Sequence, residues 1–203
     1  HVLHTSGTSG NQGIFIYSKK DWAKIYPYIV KTFNFTFRKK KTAYVGCLGG
    51  HFVALSFVSR LDKGISGLFC KLKIIDINKP TEEIVKELNE YQPDVLGGFF
   101  NQLKILAQYQ RKGDLSIHPE VIVNCSEPVI PKDKLFIENT FNAPLNNLYG
   151  FAECFISGVG RSNDPGIYLF DDKVLIEIKD DHILATNLFN KTQPIIRYRV
   201  NDF

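Results

Sequence analysis

Between residues 42 and 150, short apolar runs rich in β-branched residues alternate with stretches whose apolar positions recur every three or four residues. Thr42 to Leu48 reads as a strand, followed by Gly49-Gly50 and an apolar helix from about His51 to Arg60. Leu72 to Ile77 is a second strand. Pro80-Thr81-Glu82-Glu83 then opens a helix, because proline suits a first turn and acids suit its positive end. Ile84, Val85, Leu88 and Tyr91 form the apolar stripe of that helix. Val95 to Gly98 and Val121 to Asn124 read as strands, Asn101 to Arg111 as a helix closed by Gly113, Pro131 to Thr140 as a helix, and Leu145 to Leu148 as a short strand. Such alternation predicts an α/β fold: a mostly parallel sheet with flanking helices, whose ligands sit at the carboxyl ends of the strands. After Asp164 the pattern changes to four close strands, Ile167–Phe170, Lys173–Ile178, His182–Asn187 and Pro194–Val200, with acid pairs at the turns. These predict a small antiparallel β subdomain over 164–203, following an α/β core over 1–163.

Composition leaves this picture in place. The chain is 44% hydrophobic and 23% charged, which is ordinary for a globular protein. No apolar run approaches the roughly 20 residues of a membrane-spanning helix. The net charge of +4 is mild, and part of it is one run, Arg38-Lys39-Lys40-Lys41, which reads as a solvated loop ahead of a strand. Nucleic-acid binding would require more basic residues with interleaved aromatics. Cys47, Cys70, Cys125 and Cys154 are far apart, so neither a zinc site nor a disulfide framework is indicated. Reduced, buried thiols point to a cytoplasmic protein. The start, His1-Val2-Leu3-His4, is neither a signal peptide nor an initiator and runs straight into a loop, as in a piece of a longer chain. No feature sets an oligomeric state.

Three segments carry candidate chemistry. Thr5-Ser6-Gly7-Thr8-Ser9-Gly10-Asn11-Gln12-Gly13 has glycines that free backbone N–H groups to face an anion, and hydroxyls that add donors. It lacks the G-x-x-x-x-G-K-[ST] spacing of a P-loop, and a flexible linker has the same composition. Asn147-Leu148-Tyr149-Gly150-Phe151-Ala152-Glu153 follows a strand. There Tyr149 offers a face to a base, Gly150 allows close backbone approach, and Glu153 is a candidate Mg²⁺ ligand; a turn with a packed Tyr and a surface Glu is the plainer reading. In Pro194-Ile195-Ile196-Arg197-Tyr198-Arg199-Val200-Asn201-Asp202, an Asp just past a strand suits two ribose hydroxyls, or is simply an exposed strand end.

Together and in this order, the three segments resemble those of the adenylate-forming superfamily: acyl-CoA synthetases, luciferases and peptide-synthetase adenylation domains. The first is similar to the family's T-S-G-[ST]-T-G phosphate loop, the second to Y-G-x-[TS]-E, the third to Y-R-T-G-D. Leu88–Leu96, Leu106-Ala107, Gly113-Asp114-Leu115, Ile117-His118-Pro119 and above all Leu188-Phe189-Asn190-Lys191-Thr192-Gln193-Pro194 resemble the branch of phenylacetate–CoA ligase and the coenzyme F390 synthetase-like proteins. Ser126-Glu127-Pro128 resembles the G-[AG]-E-P turn that lies along adenine. His51 matches an aromatic or His position at the carboxylate pocket, although a lone His beside an apolar run is also an ordinary core residue.

The resemblance implies ATP-dependent activation of a small-molecule carboxylate as an acyl-adenylate, then transfer to coenzyme A. It implies that Thr5, Ser6, Gly7, Thr8, Ser9 and Gly10 hold phosphates, that Ser126, Glu127, Pro128, Tyr149, Gly150, Phe151, Ala152 and Asp202 bind the nucleotide, that Glu153 holds Mg²⁺, and that His51 serves the acid. These residues are expected to line one cleft, with the phosphate loop poorly ordered when empty. Departures exist. Gln12 and Gly13 stand where many relatives have Pro and Lys, Ala152 replaces a hydroxyl residue, and Val200-Asn201 replaces Thr-Gly. The family's N-terminal segment and its mobile C-terminal domain, which carries a catalytic Lys, have no counterpart in the chain. The alternatives are a degenerate relative that binds nucleotide or a partner without chemistry, and a structural or interaction domain.

Overall fold

The computed structural model describes residues 2–5, 13–32, 38–48, 53–63, 67–125, 127–162, 164 and 166–200. A hairpin opens the chain: β1 (Val2–His4) pairs antiparallel with β2 (Ile14–Ile16). Helix α1 (Lys19–Thr32) follows. Its entry is a capping box in which Ser18 Oγ accepts from the Asp21 backbone N–H at 3.2 Å, and Asp21 Oδ2 accepts from the Ser18 N–H at 3.0 Å. This helix was not legible in the apolar pattern, because Pro27 lies inside it.

The central sheet has seven strands. In spatial order they are β4 (Cys70–Asp76), β3 (Lys40–Gly46), β5 (Val95–Gly98), β6 (Val121–Cys125), β7 (Leu145–Phe151), β8 (Phe155–Gly160) and β9 (Tyr168–Leu169). The first five are parallel, and β8 and β9 add antiparallel. Helices α3 (Thr81–Tyr91), α4 (Phe100–Lys112) and α5 (Pro131–Phe141) make the crossovers, with the short α2 (Val53–Val58) after β3. The mostly parallel α/β sheet read from the sequence is thus present. Every residue of β5 and β6 is buried, as expected of parallel strands covered on both faces. The order switches at β3, from which the chain goes first to β4 on one side and then to β5 on the other, the kind of point where open α/β sheets bind ligands.

Two apolar clusters cover the two faces. One joins the sheet to α3, α4 and α5 through Ile84, Leu88, Leu103, Leu106 and Ile137. The other gathers Leu3, Phe15, Trp22, Ile25, Val123, Leu148 and Phe155 with Val174, Ile183, Ala185 and Val200. The last four belong to the small antiparallel sheet β10 (Val174–Ile178), β11 (Ile183–Asn187) and β12 (Tyr198–Val200).

Two local readings are corrected. The strand expected over Ile167–Phe170 contributes β9 to the edge of the large sheet, so the small sheet has three strands. Its partner in β8 includes Gly158, where a Cβ would lie 2.7 Å from the Tyr168 carbonyl oxygen, so the bare glycine permits the close pairing. The run Arg38–Lys41 is solvated only in part: Arg38, Lys39 and Lys41 are exposed, with Arg38 and Lys39 ahead of β3, but Lys40 is not. Lys40 is buried at the start of β3 and pairs with Glu120 at 2.8 Å, while Arg38 pairs with Glu120 and with Asp94 at 3.1 Å.

All four thiols are free; Cys70, Cys125 and Cys154 are buried and Cys47 is partly exposed. Burial pushes the Cys125 thiol up to about 12 and raises Cys70 and Cys154 as well. A thiolate is the reactive form, so an aromatic disulfide reagent at pH 8 should label Cys47 quickly and the other three only on unfolding. Rapid labelling of all four in the native protein would contradict this core.

Candidate nucleotide site at the carboxyl edge of the sheet

The phosphate-loop candidate is the connection of the β1–β2 hairpin. Its base is closed twice: the Thr5 N–H donates to the Gly13 carbonyl at 3.1 Å, and the Gly13 N–H donates to Thr5 Oγ at 2.9 Å. The Thr5 hydroxyl therefore spends an acceptor lone pair on loop closure and keeps its proton for donation. A Cβ at Gly13 would come within 2.8 Å of the Phe15 ring, so a lysine there would first require that ring to move. Ser6, Gly7, Thr8, Ser9 and Gly10 lie outside the described residues, as do His51, Ser126 and Asp202, and so does the expected disorder of the loop.

The second motif occupies the end of β7 and the turn into β8. The register of this pair shifts between Tyr149 and Gly150, a bulge that brings the strands together. A Cβ on Gly150 would sit 2.1 Å from the Phe155 carbonyl oxygen and 2.9 Å from Ile156 Cα, so only glycine fits. Phe155, at the far side of the turn, is held at φ 61°. Gly150→Ala should accordingly cost roughly 3 kcal/mol or more by thermal or urea unfolding, and a loss below about 1 kcal/mol would contradict the close approach. Tyr149 is half-buried, edge-on to Phe151 with centroids 5.9 Å apart. Phe151 and Ala152 are buried. Glu153 is 7% exposed, so the surface-Glu reading does not hold.

A second cluster stands beside Tyr149, at the carboxyl end of β6. Asn124, fully buried, donates through its amide to the Glu127 carbonyl and to Asn147 Oδ1, both at 2.7 Å. Phe99, before α4, offers no side-chain cap; the Glu127 carboxylate serves instead, accepting from the Asn101 N–H at 2.8 Å. Glu127 is thus committed to a helix N-terminus, while Pro128 is exposed.

A set of polar side chains staples the first and second motifs to the segment that precedes the third. The Tyr17 hydroxyl shares its one proton between the Ala152 and Glu153 carbonyls, at 2.9 and 2.7 Å, and Asn187 Nδ2 donates to the Glu153 carbonyl at 3.1 Å. Burial raises the Tyr17 phenol far above its ordinary value, so it stays a donor at any working pH. Asn187 Oδ1 also accepts from the N–H groups of Phe189 and Asn190. Asn190 Nδ2 donates to the Ile16 carbonyl at 3.0 Å, and Gln193 Oε1 accepts from the Ile16 N–H at 2.7 Å. Asp21, 2% exposed, accepts from Ser18, from Thr192 Oγ at 2.7 Å and from the Lys191 N–H at 3.2 Å. Burial alone would raise the Asp21 carboxyl; the hydrogen bonds from Ser18, Thr192 and Lys191 outweigh it and hold it well below the usual carboxylate range. Beyond this loop, Tyr198 of β12 packs edge-on against Phe15 at 6.0 Å.

The β1–β2 hairpin that carries the candidate phosphate loop, the Ala152-Glu153 turn and the loop leading to β12 are therefore one hydrogen-bonded assembly. Solved structures with the same architecture include acyl-CoA ligases. A 2-hydroxyisobutyryl-CoA ligase in complex with 2-HIB-AMP superposes with a TM-score of 0.78 at 20% identity, over 98% of this chain and 46% of that one. An AMP-forming acyl-CoA synthetase-like protein from Dyadobacter fermentans gives 0.65 at 18%, over 100% and 55%, and a malonyl-CoA ligase gives 0.67 at 16%, over 96% and 44%. The chain has the fold of acyl-CoA ligases. Among curated proteins, CapK of Staphylococcus aureus is 26% identical over 127 residues, 58% of this chain and 28% of that protein. No family model matches. The chain thus spans about half or less of the length of these proteins.

On this ligase fold, of the side chains that tie the motifs together, Asn190 lies in the Leu188–Pro194 segment quoted for its resemblance, while Tyr17, Asp21, Asn124 and Asn187 were not singled out from the sequence. The spacing Ser18-x-x-Asp21 is a readable capping signal, but the reach of Asp21 to Thr192 is not.

Proposed function

We propose that the chain is the nucleotide-binding part of an enzyme that activates a carboxylic acid with ATP and passes the acyl group to coenzyme A. The observation that carries this reading is the staple of Tyr17, Asp21, Asn187 and Asn190, which ties the phosphate-loop hairpin to the Tyr149–Glu153 turn and to the segment before Asp202. Such an assembly suits a reaction that needs positional control more than acid–base groups. A carboxylate oxygen attacks the α-phosphorus of ATP, the bond to the bridging oxygen breaks, and pyrophosphate leaves with its electron pair, giving acyl-AMP. Thr5–Gly10 hold the outer phosphates, Tyr149 faces adenine beside the exposed backbone of Gly150, Ser126–Pro128 line the base, Asp202 takes the ribose and His51 the acid.

Mg²⁺ fits at Glu153, a buried carboxylate. There the ion would be held by that one carboxylate together with the phosphates of the nucleotide. When bound, the ion offsets charge on the phosphates. The phenylacetate–CoA ligase and coenzyme F390 synthetase-like branch is the finer assignment, supported by Leu188–Pro194, whose Asn190, Thr192 and Gln193 make the staple. Division into 1–163 and 164–203 and a cytoplasmic setting belong to the same reading.

A second reading, a relative that binds nucleotide without turnover, is favoured by Gly13 beside Phe15 and by Ala152 in place of a hydroxyl residue. Thermal unfolding with Mg·ATP tests whether a nucleotide binds at all. In the protein with its natural flanking sequence, ATP at a hundredfold excess over its Kd should raise Tm on the order of 5–10 °C. No shift would reject both nucleotide readings and leave a structural or interaction domain.

A further inference from the structure

A cavity of about 600 Å³ opens at the other end of β7 from Tyr149, between the C-terminal half of α1 and the strands β7, β8 and β9. That volume is in the range of small-molecule pockets. Asn146, Val159 and Arg161 mark the place: β7 and β8 are antiparallel, so the start of one faces the end of the other. None of the described candidate nucleotide residues lines it.

Its walls are of two kinds. One is aromatic: the Tyr28 and Phe170 rings lie 4.5 Å apart by centroid with their planes tilted by 46°, the Lys173 ammonium stands 5.1 Å from the Tyr28 ring centroid, and Tyr168 closes the edge strand. The other is cationic. Lys24, Lys173 and Arg161 line the cavity, and among the described residues no carboxylate does. Two of these charges are already offset. Lys24 lies 3.5 Å from Asp21 and donates to the Phe189 carbonyl at 2.9 Å; Lys173 pairs with Asp172 at 2.6 Å, which Tyr28 also holds. Among the described residues Arg161 makes no ion pair; its guanidinium rests over the Tyr168 ring at 5.9 Å, and the Tyr168 hydroxyl in turn donates to Asp164 at 3.4 Å. Asn146 donates to the Thr32 carbonyl at 2.9 Å, fixing the inner wall without using a cation.

One uncompensated, permanently charged guanidinium beside aromatic walls selects a particular chemistry. We infer that this cavity is a binding site for a small organic monoanion with a flat apolar body, its carboxylate on Arg161 and its body between Tyr28 and Tyr168. The inference does not rest on the nucleotide reading.

The test is calorimetric titration of the protein with 2-naphthoate and with its neutral counterpart, 2-naphthalenemethanol. The acid should bind saturably and tighter than the alcohol. Arg161→Gln, an exposed position, should weaken the acid by roughly tenfold and leave the alcohol unchanged. Val159→Trp, which fills the cavity, should abolish both, with its thermal melt checked against the parent; should it not fold, Val159→Leu should weaken both. Excess Mg·ATP should change none of these values, which separates this site from the nucleotide site. Equal affinity for acid and alcohol, acid binding indifferent to Arg161→Gln, or no saturable binding would overturn the assignment.

Discussion

Glu153→Gln, in the protein with its natural flanking sequence, should lower acid-dependent ATP–pyrophosphate exchange by roughly a hundredfold, in line with the loss of one electrostatic element aimed at developing charge. The side chain keeps its shape and loses its charge. The turn that carries it is held through the Ala152 and Glu153 carbonyls by Tyr17 and Asn187, so the backbone should stay in place. The variant should unfold near the parental temperature while needing more Mg²⁺ for half-maximal exchange. Glu90→Gln, an exposed position on α3, is the matched control and should leave exchange unchanged. Glu120 is unsuited to that purpose because it holds the buried Lys40. Equal exchange in the two variants would remove Glu153 from the phosphate site. For the 203-residue chain alone the expectation is weak Mg·ATP binding and negligible turnover, since Gly13 supplies no loop cation.

Asp21→Asn should destabilise the protein by roughly 3 kcal/mol, because four donors converge on a carboxylate that an amide cannot replace. In a chain of this size that corresponds to a fall in Tm of about 10 °C. The effect should depend on pH with a definite sign. The folded-state carboxyl lies below its ordinary value, so its stabilisation is fully present above about pH 4 and is lost as pH falls toward the folded-state value. The gap in Tm between parent and variant should therefore be widest near neutral pH and close on acidification. A gap that is constant with pH, or that widens in acid, would contradict the assigned role. Loosening this knot also frees the loop before β12, so nucleotide affinity should fall with stability.

The parallel core was legible because its strands and helices obey simple periods. Val95–Gly98 matches β5 residue for residue, and Gly113, at φ 89°, ends α4 where a left-handed position was needed. The parts that escaped were those whose pattern is broken by tertiary contact. β8 is buried at every position and carries two glycines, so it shows no alternation. The β1 and β2 strands are three residues each, too short for any period. Within the exposed basic run at Arg38–Lys41, the burial of Lys40 was hidden because its partner Glu120 lies far along the chain. The motifs of the candidate site stood out by residue type and order. The side chains that join them did not, because a hydrogen bond from Asn190 to Ile16 spans 174 positions and leaves no local trace.

The measurement that bears most directly on the proposed chemistry is exchange of labelled pyrophosphate into ATP by the protein with its natural flanking sequence, run with a panel of aryl, fatty and amino acids and without any acid. Acyl-adenylate formation is reversible and releases pyrophosphate, so the account predicts label in ATP only when a suitable carboxylate and Mg²⁺ are both present. Mg·ATP binding without exchange for any acid in the panel, or exchange that proceeds equally with no acid, would contradict it.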